Sequence, residues 1–326
     1  MDEPLSILLE DYLNYLLTIK GLSKTTIEEY QYDLSAFFRF LVRRRKPELR
    51  NRRDEEIDFS LLSLEDLQHV SLRELEAYLA YSKDGKLPSA NRRARKTSTL
   101  RGFFKYLVLI EELLEKNPVD KLTSPKKKKR QPVYFTLEEA VHLIQTAGQE
   151  ENRFFRLRDV AIIVTFLTTG IRLSELVGLN VSDLKEDHFT VLGKGNKERT
   201  VYITPACAHA LEAYLSVRPR SADEPALFLS SRKKRLSQRA VQHRMDLLLC
   251  QAGFDRMRYS VHKLRHTAAT LMYKEGVDIR TLQKILGHAS IATTQIYTHV
   301  EDPEVKKGLE ANPLAHISLQ SRPDKK

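Results

Sequence analysis

The sequence predicts a mainly α-helical protein, with an N-terminal helical bundle followed by a mixed α+β domain that carries a small β-hairpin or sheet. Three observations lead there. Apolar residues recur at helical spacing along most of the chain, the period changes only around "FTVLGKGNKERTVYI", and a basic, Pro-containing stretch separates the two regions. The length of 326 residues allows one or two domains of ordinary size, and the break favours two. The expected boundaries are 1–115 for the bundle, 116–132 for a linker and 133–326 for the second domain with its C-terminal helix and tail.

In the bundle, Leu9, Tyr12, Leu13 and Leu16 share a helical face, and Ser23 can cap a second helix bearing Ile27, Tyr30, Leu34, Phe37 and Leu41. A charged, aperiodic stretch from Arg43 to about Asp58 reads as a loop. "SLRELEAYLAY" and "STLRGFFKYLVLIEELL" supply further amphipathic segments, making about four helices by Leu114, with the Phe and Leu stripe as core. "KNPVDKLTSPKKKKRQP" has no helical periodicity and is the expected linker. Thr136 and Glu139 then stand at capping-box spacing, before a helix carrying Ala140, Leu143 and Ile144. An apolar helix from Arg158 to about Thr168 is interrupted by Gly170, and Ser174 to Leu176 continue in a further helix. Phe189 to Leu192 and Thr200 to Ile203 flank a Gly-Lys-Gly-Asn-Lys turn and form the hairpin. Helices return over Ala210 to Leu215, Arg239 to Leu249 and His262 to Met272. Asp278 caps Ile279 to Leu286, and Ser290 caps Ile291 to about Thr298.

Lys and Arg outnumber Asp and Glu 54 to 43, a formal charge of +11 that favours a polyanionic partner and serves solubility equally well. The positive charge recurs in "RRRK" (Arg43 to Lys46), "RRARK" (Arg92, Arg93, Arg95 and Lys96), "KKKKR" (Lys126, Lys127, Lys128, Lys129 and Arg130) and "RKKR" (Arg232 to Arg235). The second and third clusters are candidate phosphate contacts, and each cluster taken alone is read equally well as a solvated face. A nuclear-localisation reading of "KKKKR" is weaker, because composition confers no receptor. Cys207 and Cys250 are too few for a disulfide framework and match no zinc spacing. "MDEPLSILLE" lacks a signal-peptide arrangement, and the longest apolar run, "VAIIVTFL", is too short to span a bilayer, so a cytoplasmic location without membrane partners is expected.

The polar residues carry chemistry collectively. Arg172 precedes Glu175 on one helical face, where a carboxylate orients a guanidinium or simply forms a structural ion pair. His262 and Arg265 share another face, with His266 one position round. His288 follows Gly287 in a turn, close in sequence to Tyr297. No nearby Cys or carboxylate completes a metal-binding spacing, so no metal and no cofactor is expected. Two arginines bracket a phosphate with fork-like donors, histidines hold or relay protons, and a hairpin lysine protonates a departing alkoxide. Such a set attacks a DNA phosphodiester.

The motifs "TTGIRLSELVGLNVSDL", "LGKGNKERTVYI", "VHKLRHTAATLM" and "LQKILGHASIATTQIYTHV" resemble, in order, those of the tyrosine recombinase and phage-integrase family, and the whole chain resembles its bacterial Xer branch. The resemblance spans Leu137 to Val300, and the bundle is supported more loosely. It implies a tyrosine-recombinase catalytic domain behind a core-binding domain, with site-specific recombination through a 3'-phosphotyrosyl intermediate. It also implies Arg172, Lys194, His262, Arg265, His288 and Tyr297 as catalytic residues and Glu175 as support. Lys197 is the alternative hairpin lysine, and His299 belongs to the motif without an implied role. The implied partners are double-stranded DNA with paired recombination sites and a homotetramer formed through C-terminal exchange, together with a related recombinase or accessory protein in some systems. The segment from Arg43 to Asp58 stands as extra material. A type IB topoisomerase shares the phosphotyrosyl chemistry, and a noncatalytic architectural DNA binder would dispense with Tyr297.

Overall fold

The computed structural model describes residues 5–81, 87–124, 133–192, 198–219, 224–288 and 290–297. The chain divides into two units, Met1–Lys129 and Arg130–Lys326.

The first unit is a helical bundle of α1 (Leu5–Thr18), α2 (Lys24–Arg45), the short α3 (Leu64–Gln68), α4 (Leu72–Ala80) and α5 (Ala90–Leu109). Ser23 caps α2 as its side-chain type predicts, accepting the Thr26 amide. Leu34, Phe37, Phe38 and Leu41 of α2 bury against Phe103, Phe104 and Leu107 of α5. Helix α5 starts earlier than the apolar pattern predicts, at a Ser89 cap, and so takes in the basic "RRARK". It also stops earlier, at Leu109, and "IEELL" is not helical. The expected loop after Arg43 is also different. Helix α2 runs on to Arg45, because Arg43 pairs with Asp54 and Arg45 with Asp66 and Glu74. Three 3-10 turns follow, with Ile57 and Leu62 buried in the core. The expected linker also begins too early, since Val119 and Leu122 are buried in this same core and keep the chain with the first unit.

The second unit holds α6 (Leu137–Gly148), α7 (Arg153–Thr169), α8 (Leu173–Gly178), the antiparallel strands β1 (His188–Leu192) and β2 (Glu198–Tyr202), α9 (Pro205–Leu215), α10 (Gln238–Gln251), α11 (Val261–Lys274) and α12 (Ile279–Leu286). Thr136 and Glu139 form the expected capping box, with Glu139 Oε2 accepting the Thr136 amide at 2.8 Å and Thr136 Oγ1 accepting the Glu139 amide at 3.2 Å. Helix α7 is the centre of the core, as its apolar run predicts, burying Ala161, Ile162, Ile163 and Phe166 among residues of α6, α9 and α11. Gly170 ends it at φ +64°, a left-handed conformation that costs glycine little. A Cβ there would lie 2.8 Å from Leu286 Cδ2, so α12 packs closely over this turn.

The α-helix expected from Ile291 to about Thr298 is not formed over the described residues, and the C-terminal helix expected beyond it lies outside them. Ile291–Thr293 and Gln295–Tyr297 are two 3-10 turns, closed by bonds such as Tyr297 N to Thr294 O at 3.0 Å. The run holds Ile291, Thr293, Thr294 and Ile296, β-branched residues that are restricted in a helix, and the Thr294 hydroxyl is engaged elsewhere.

Candidate active site

Arg172 sits at the N-terminal cap of α8, where the turn from Gly170 delivers it. Glu175, one turn on and 6% exposed, accepts the Arg172 amide at 2.9 Å through Oε2 and Arg172 Nη1 at 2.8 Å through Oε1. Arg199 of β2 approaches the same carboxylate, with Nη2 2.8 Å from Oε2. Burial alone would raise the Glu175 carboxyl, but its bonds to Arg199 and Arg172 outweigh burial and hold it below its ordinary range.

The C-terminal end of α12 collects the arginines. The last carbonyls of a helix lack intrahelical donors and carry its negative pole. Here the Gln283 and Lys284 carbonyls accept the His288 and Gly287 amides, a closing turn that Gly287 permits at φ +61°. The next three carbonyls in order accept guanidinium groups from three different elements. Ile285 O takes Arg199 Nη1 at 2.9 Å, Leu286 O takes Arg265 Nη2 at 2.7 Å, and Gly287 O takes Arg172 Nη2 at 2.6 Å. Arg265 also donates Nη1 to the Gly170 carbonyl. Burial, together with the nearby charge of Arg172, brings the Arg265 guanidinium down to about 10, so it remains a cation at neutral pH.

His288 Nδ1 lies 2.9 Å from Thr294 Oγ1, which leaves Nε2 as the ring nitrogen without that engagement. Tyr297, 1% exposed, packs with Ala269, Tyr273, Leu282 and Leu286, and its hydroxyl lies 2.9 Å from His266 Nδ1. Burial pushes the Tyr297 phenol up, partly offset by Arg265. Burial first, then the surrounding cations, pulls both His266 and His288 down to about 4, so both rings are neutral at neutral pH. Arg172, His262, Arg265, His266, His288 and Tyr297 all line one cavity of about 350 Å³. It is a cationic, partly apolar chamber with a phenol in its wall, suited to an anion rather than to a metal. Among the described residues no cluster of His, Cys, Asp and Glu could hold a metal ion.

Residues 134–304 match the phage integrase family, and residues 9–64 match the phage integrase N-terminal SAM-like domain. The chain belongs to the phage integrase family. This family member is 46% identical over 311 residues to a tyrosine recombinase XerC of Caldanaerobacter subterraneus, covering 94% of this chain and 87% of that one. It is 36% identical to the tyrosine recombinase XerC of Natranaerobius thermophilus, covering 89% of this chain and 93% of that one. In structure it resembles XerH site-specific recombinase bound to a palindromic difH substrate, at TM-score 0.66 and 21% identity, over 95% of this chain and 97% of that one. Lambda integrase in a tetramer bound to a Holliday junction matches at TM-score 0.64 and 20% identity, over 89% of this chain and 78% of that one. The phage integrase family member is thus a site-specific tyrosine recombinase, acting on DNA through a tyrosine–DNA intermediate. The topoisomerase and architectural-binder readings give way to it.

Of the residues singled out in the sequence of this recombinase, the fold brings Arg172, His262, Arg265, His288 and Tyr297 together around one cavity, with Glu175 behind. Lys194, Lys197, His299 and Lys126 to Arg130 lie outside the described residues. The basic clusters are sorted by burial. Lys96 is corrected as a phosphate contact: it is 4% exposed, donates to the Tyr78 and Tyr81 carbonyls, and sits 4.0 Å from the Tyr78 ring centroid. Arg95 is half-buried and pairs with the buried Asp33 at 2.8 Å, whereas Arg92 is exposed and Arg93 half-buried. In "RKKR", Arg235 donates to the Val177, Gly178 and Leu179 carbonyls at the end of α8.

Arg199 escaped the sequence reading, and His266 was placed there beside His262 and Arg265 without a role. His266 follows His262 by one helical turn, a spacing that places both on the cavity side of α11. Arg199 shares the inward face of β2 with the buried Val201, and an inward-pointing charge on a strand signals a buried partner. Both signals were present.

Among the described residues no helix is long and apolar enough to cross a membrane.

Proposed function

We propose that Tyr297 is the nucleophile of this recombinase and that Arg172, Lys194, His262, Arg265 and His288 act with it on the scissile phosphate, supported by Glu175. The observation that carries this reading is the single cavity that gathers Arg172, His262, Arg265, His288 and Tyr297 from four separate chain segments. Tyr297 Oη forms a bond to phosphorus while the bond to the 5'-oxygen breaks, leaving a 3'-phosphotyrosyl linkage and a free 5'-hydroxyl. Arg172 and Arg265 donate to the nonbridging oxygens, whose charge grows in the transition state. Both keep free N–H groups for this, because each uses only part of its fork on carbonyls and Glu175. His262 and His288 orient the phosphate or relay protons, and Lys194 protonates the departing 5'-oxygen. Attack by a partner strand's hydroxyl reverses the step, so phosphodiester energy is conserved.

The partner is double-stranded DNA with paired recombination sites, held by a homotetramer whose C-terminal segments exchange between neighbours, with a related recombinase or accessory protein as an additional component. Exposed Arg92, with Arg93 and the linker cations Lys126 to Arg130, supplies phosphate contacts, so affinity falls with salt. The test is a nicked suicide duplex carrying the mapped crossover site. Tyr297→Phe should bind it and form no covalent adduct on a denaturing gel. An undiminished adduct moves the nucleophile elsewhere.

A further inference from the structure

Arg199 does not line the cavity, and its side chain is only 15% exposed. It makes no approach to the reacting atoms, yet it meets two groups on which the arginine pair depends. One is Glu175, through Nη2 at 2.8 Å and Nε at 3.4 Å. The other is the Ile285 carbonyl, through Nη1 at 2.9 Å. Its side chain also lies directly over Gly287, where a Cβ would come 2.7 Å from Arg199 Cδ, so the bare backbone at Gly287 leaves room for the Arg199 stem.

We propose that Arg199 is a positioning residue for strand cleavage: by sharing Glu175 with Arg172 and capping α12 beside Arg265, it fixes the arginine pair and the chain entering His288 in the arrangement that faces the cavity. The proposal rests on the active-site reading above.

The physical argument turns on charge. Arg172, Arg199 and Arg265 converge on one helix end, and Glu175 is the carboxylate paired with two of them. A buried carboxylate is costly unless it is paired and fully hydrogen-bonded, and Arg199 supplies the strongest of the interactions that oppose burial at Glu175. Without Arg199, Glu175 gains protons more readily. A neutral acid no longer holds Arg172 Nη1 by a charge-assisted bond, so Arg172 keeps its charge but loses its aim. The groups facing Glu175 are Arg172 from α8, Arg199 from β2 and Arg265 from α11, and Asp183 and Glu198 line one cleft together with Glu175. Lysine cannot replace the fork, because one ammonium cannot reach two carboxylate oxygens and a carbonyl in the same plane.

The experiment uses the full chain with Arg199→Gln, Arg199→Lys, Glu175→Gln and the double variant Glu175→Gln/Arg199→Gln. Single-turnover adduct formation is read at saturating DNA, beside DNA affinity and thermal melting. Arg199→Gln should slow cleavage about ten-fold or more with little change in affinity, and Arg199→Lys should recover part of the loss. The defect should deepen as pH falls, following protonation of Glu175. In the Glu175→Gln background, Arg199→Gln should cost clearly less than it does alone, because one of the two groups it acts through is already neutral. Independent losses that multiply in the double variant, or a defect that is the same at every pH, overturn the proposal and leave Arg199 a structural cap. Should Arg199→Gln fail to fold, the pH dependence of Arg199→Lys decides in the same way. A wild-type adduct that survives Tyr297→Phe overturns the nucleophile assignment instead, a separate failure visible in the same assay.

Discussion

His266 Nδ1 lies 2.9 Å from the hydroxyl of Tyr297, tying the proposed nucleophile to α11. The ring nitrogen and the phenol are each other's polar partner inside a small apolar cluster. Tyr297→Phe therefore leaves a half-buried ring nitrogen without its partner and should cost about 1 kcal/mol of folding stability. Denaturant unfolding checks this, and in a His266→Ala background the same substitution should cost almost nothing. Equal costs in both backgrounds would mean that packing, not the hydrogen bond, holds Tyr297.

The depressed histidines predict the pH dependence of stability. His266 and His288 sit at about 4 in the folded chain, below the ordinary value near 6.5, so the unfolded chain binds more protons between those limits. Their contribution is complete above about pH 6.5 and is lost as pH falls towards about 4. Melting temperature should drop across this window, and the slope should flatten in His266→Gln and His288→Gln. An unchanged slope in both variants would assign the acid sensitivity to other groups.

Arg172→Ala and Arg265→Ala should each slow cleavage more than they weaken binding, by roughly 3 kcal/mol, or about two orders of magnitude in rate, as for loss of one preorganised oxyanion donor. Near-normal single-turnover cleavage by either folded variant removes it from the phosphate clamp.

Gly287→Ala and Gly276→Ala form a matched pair. Both glycines have positive φ, +61° and +88°, but a Cβ at Gly276 meets nothing within 4 Å, whereas one at Gly287 collides with Arg199. Gly276→Ala should carry only backbone strain of about 1–2 kcal/mol. Gly287→Ala should melt lower still and lose cleavage disproportionately. Equal cleavage by the two variants would separate Arg199 from the site.

Lys194 lies outside the described residues, so its role is tested chemically. Replacing the bridging 5'-oxygen with sulfur gives a leaving group that needs little protonation, and should rescue cleavage by Lys194→Ala but not by Arg172→Ala. Rescue of Lys197→Ala instead moves the general acid three residues along the hairpin.

Much of this was legible in the chain. Helical spacing located α1, α2, α6, α7 and α11, because their apolar stripes and side-chain caps are local properties. Asp278 capped α12 as its spacing implied, accepting the Arg280 amide at 2.9 Å. Charge clusters were read less well, since a run of cations looks the same whether solvated or paired. Lys96 went inside over Tyr78, and Arg45 was taken up by Asp66 and Glu74, because of partners remote in sequence.

The two-unit helical plan, the hairpin between α8 and α9 and the identities of the residues named for the cavity can be read from the chain alone, since each depends on short-range spacing or on motifs that keep their order. Only the tertiary structure decided how those residues are held. That the carbonyls of Ile285, Leu286 and Gly287 collect Arg199, Arg265 and Arg172 depends on where the end of α12 falls against α7, α8, α11 and β2. The orphan carbonyls of any helix need donors, but sequence spacing does not say which side chains will supply them. That choice belongs to packing, here to the turns at Gly170 and Gly287 that bring backbone close enough for three guanidinium groups to share one helix end.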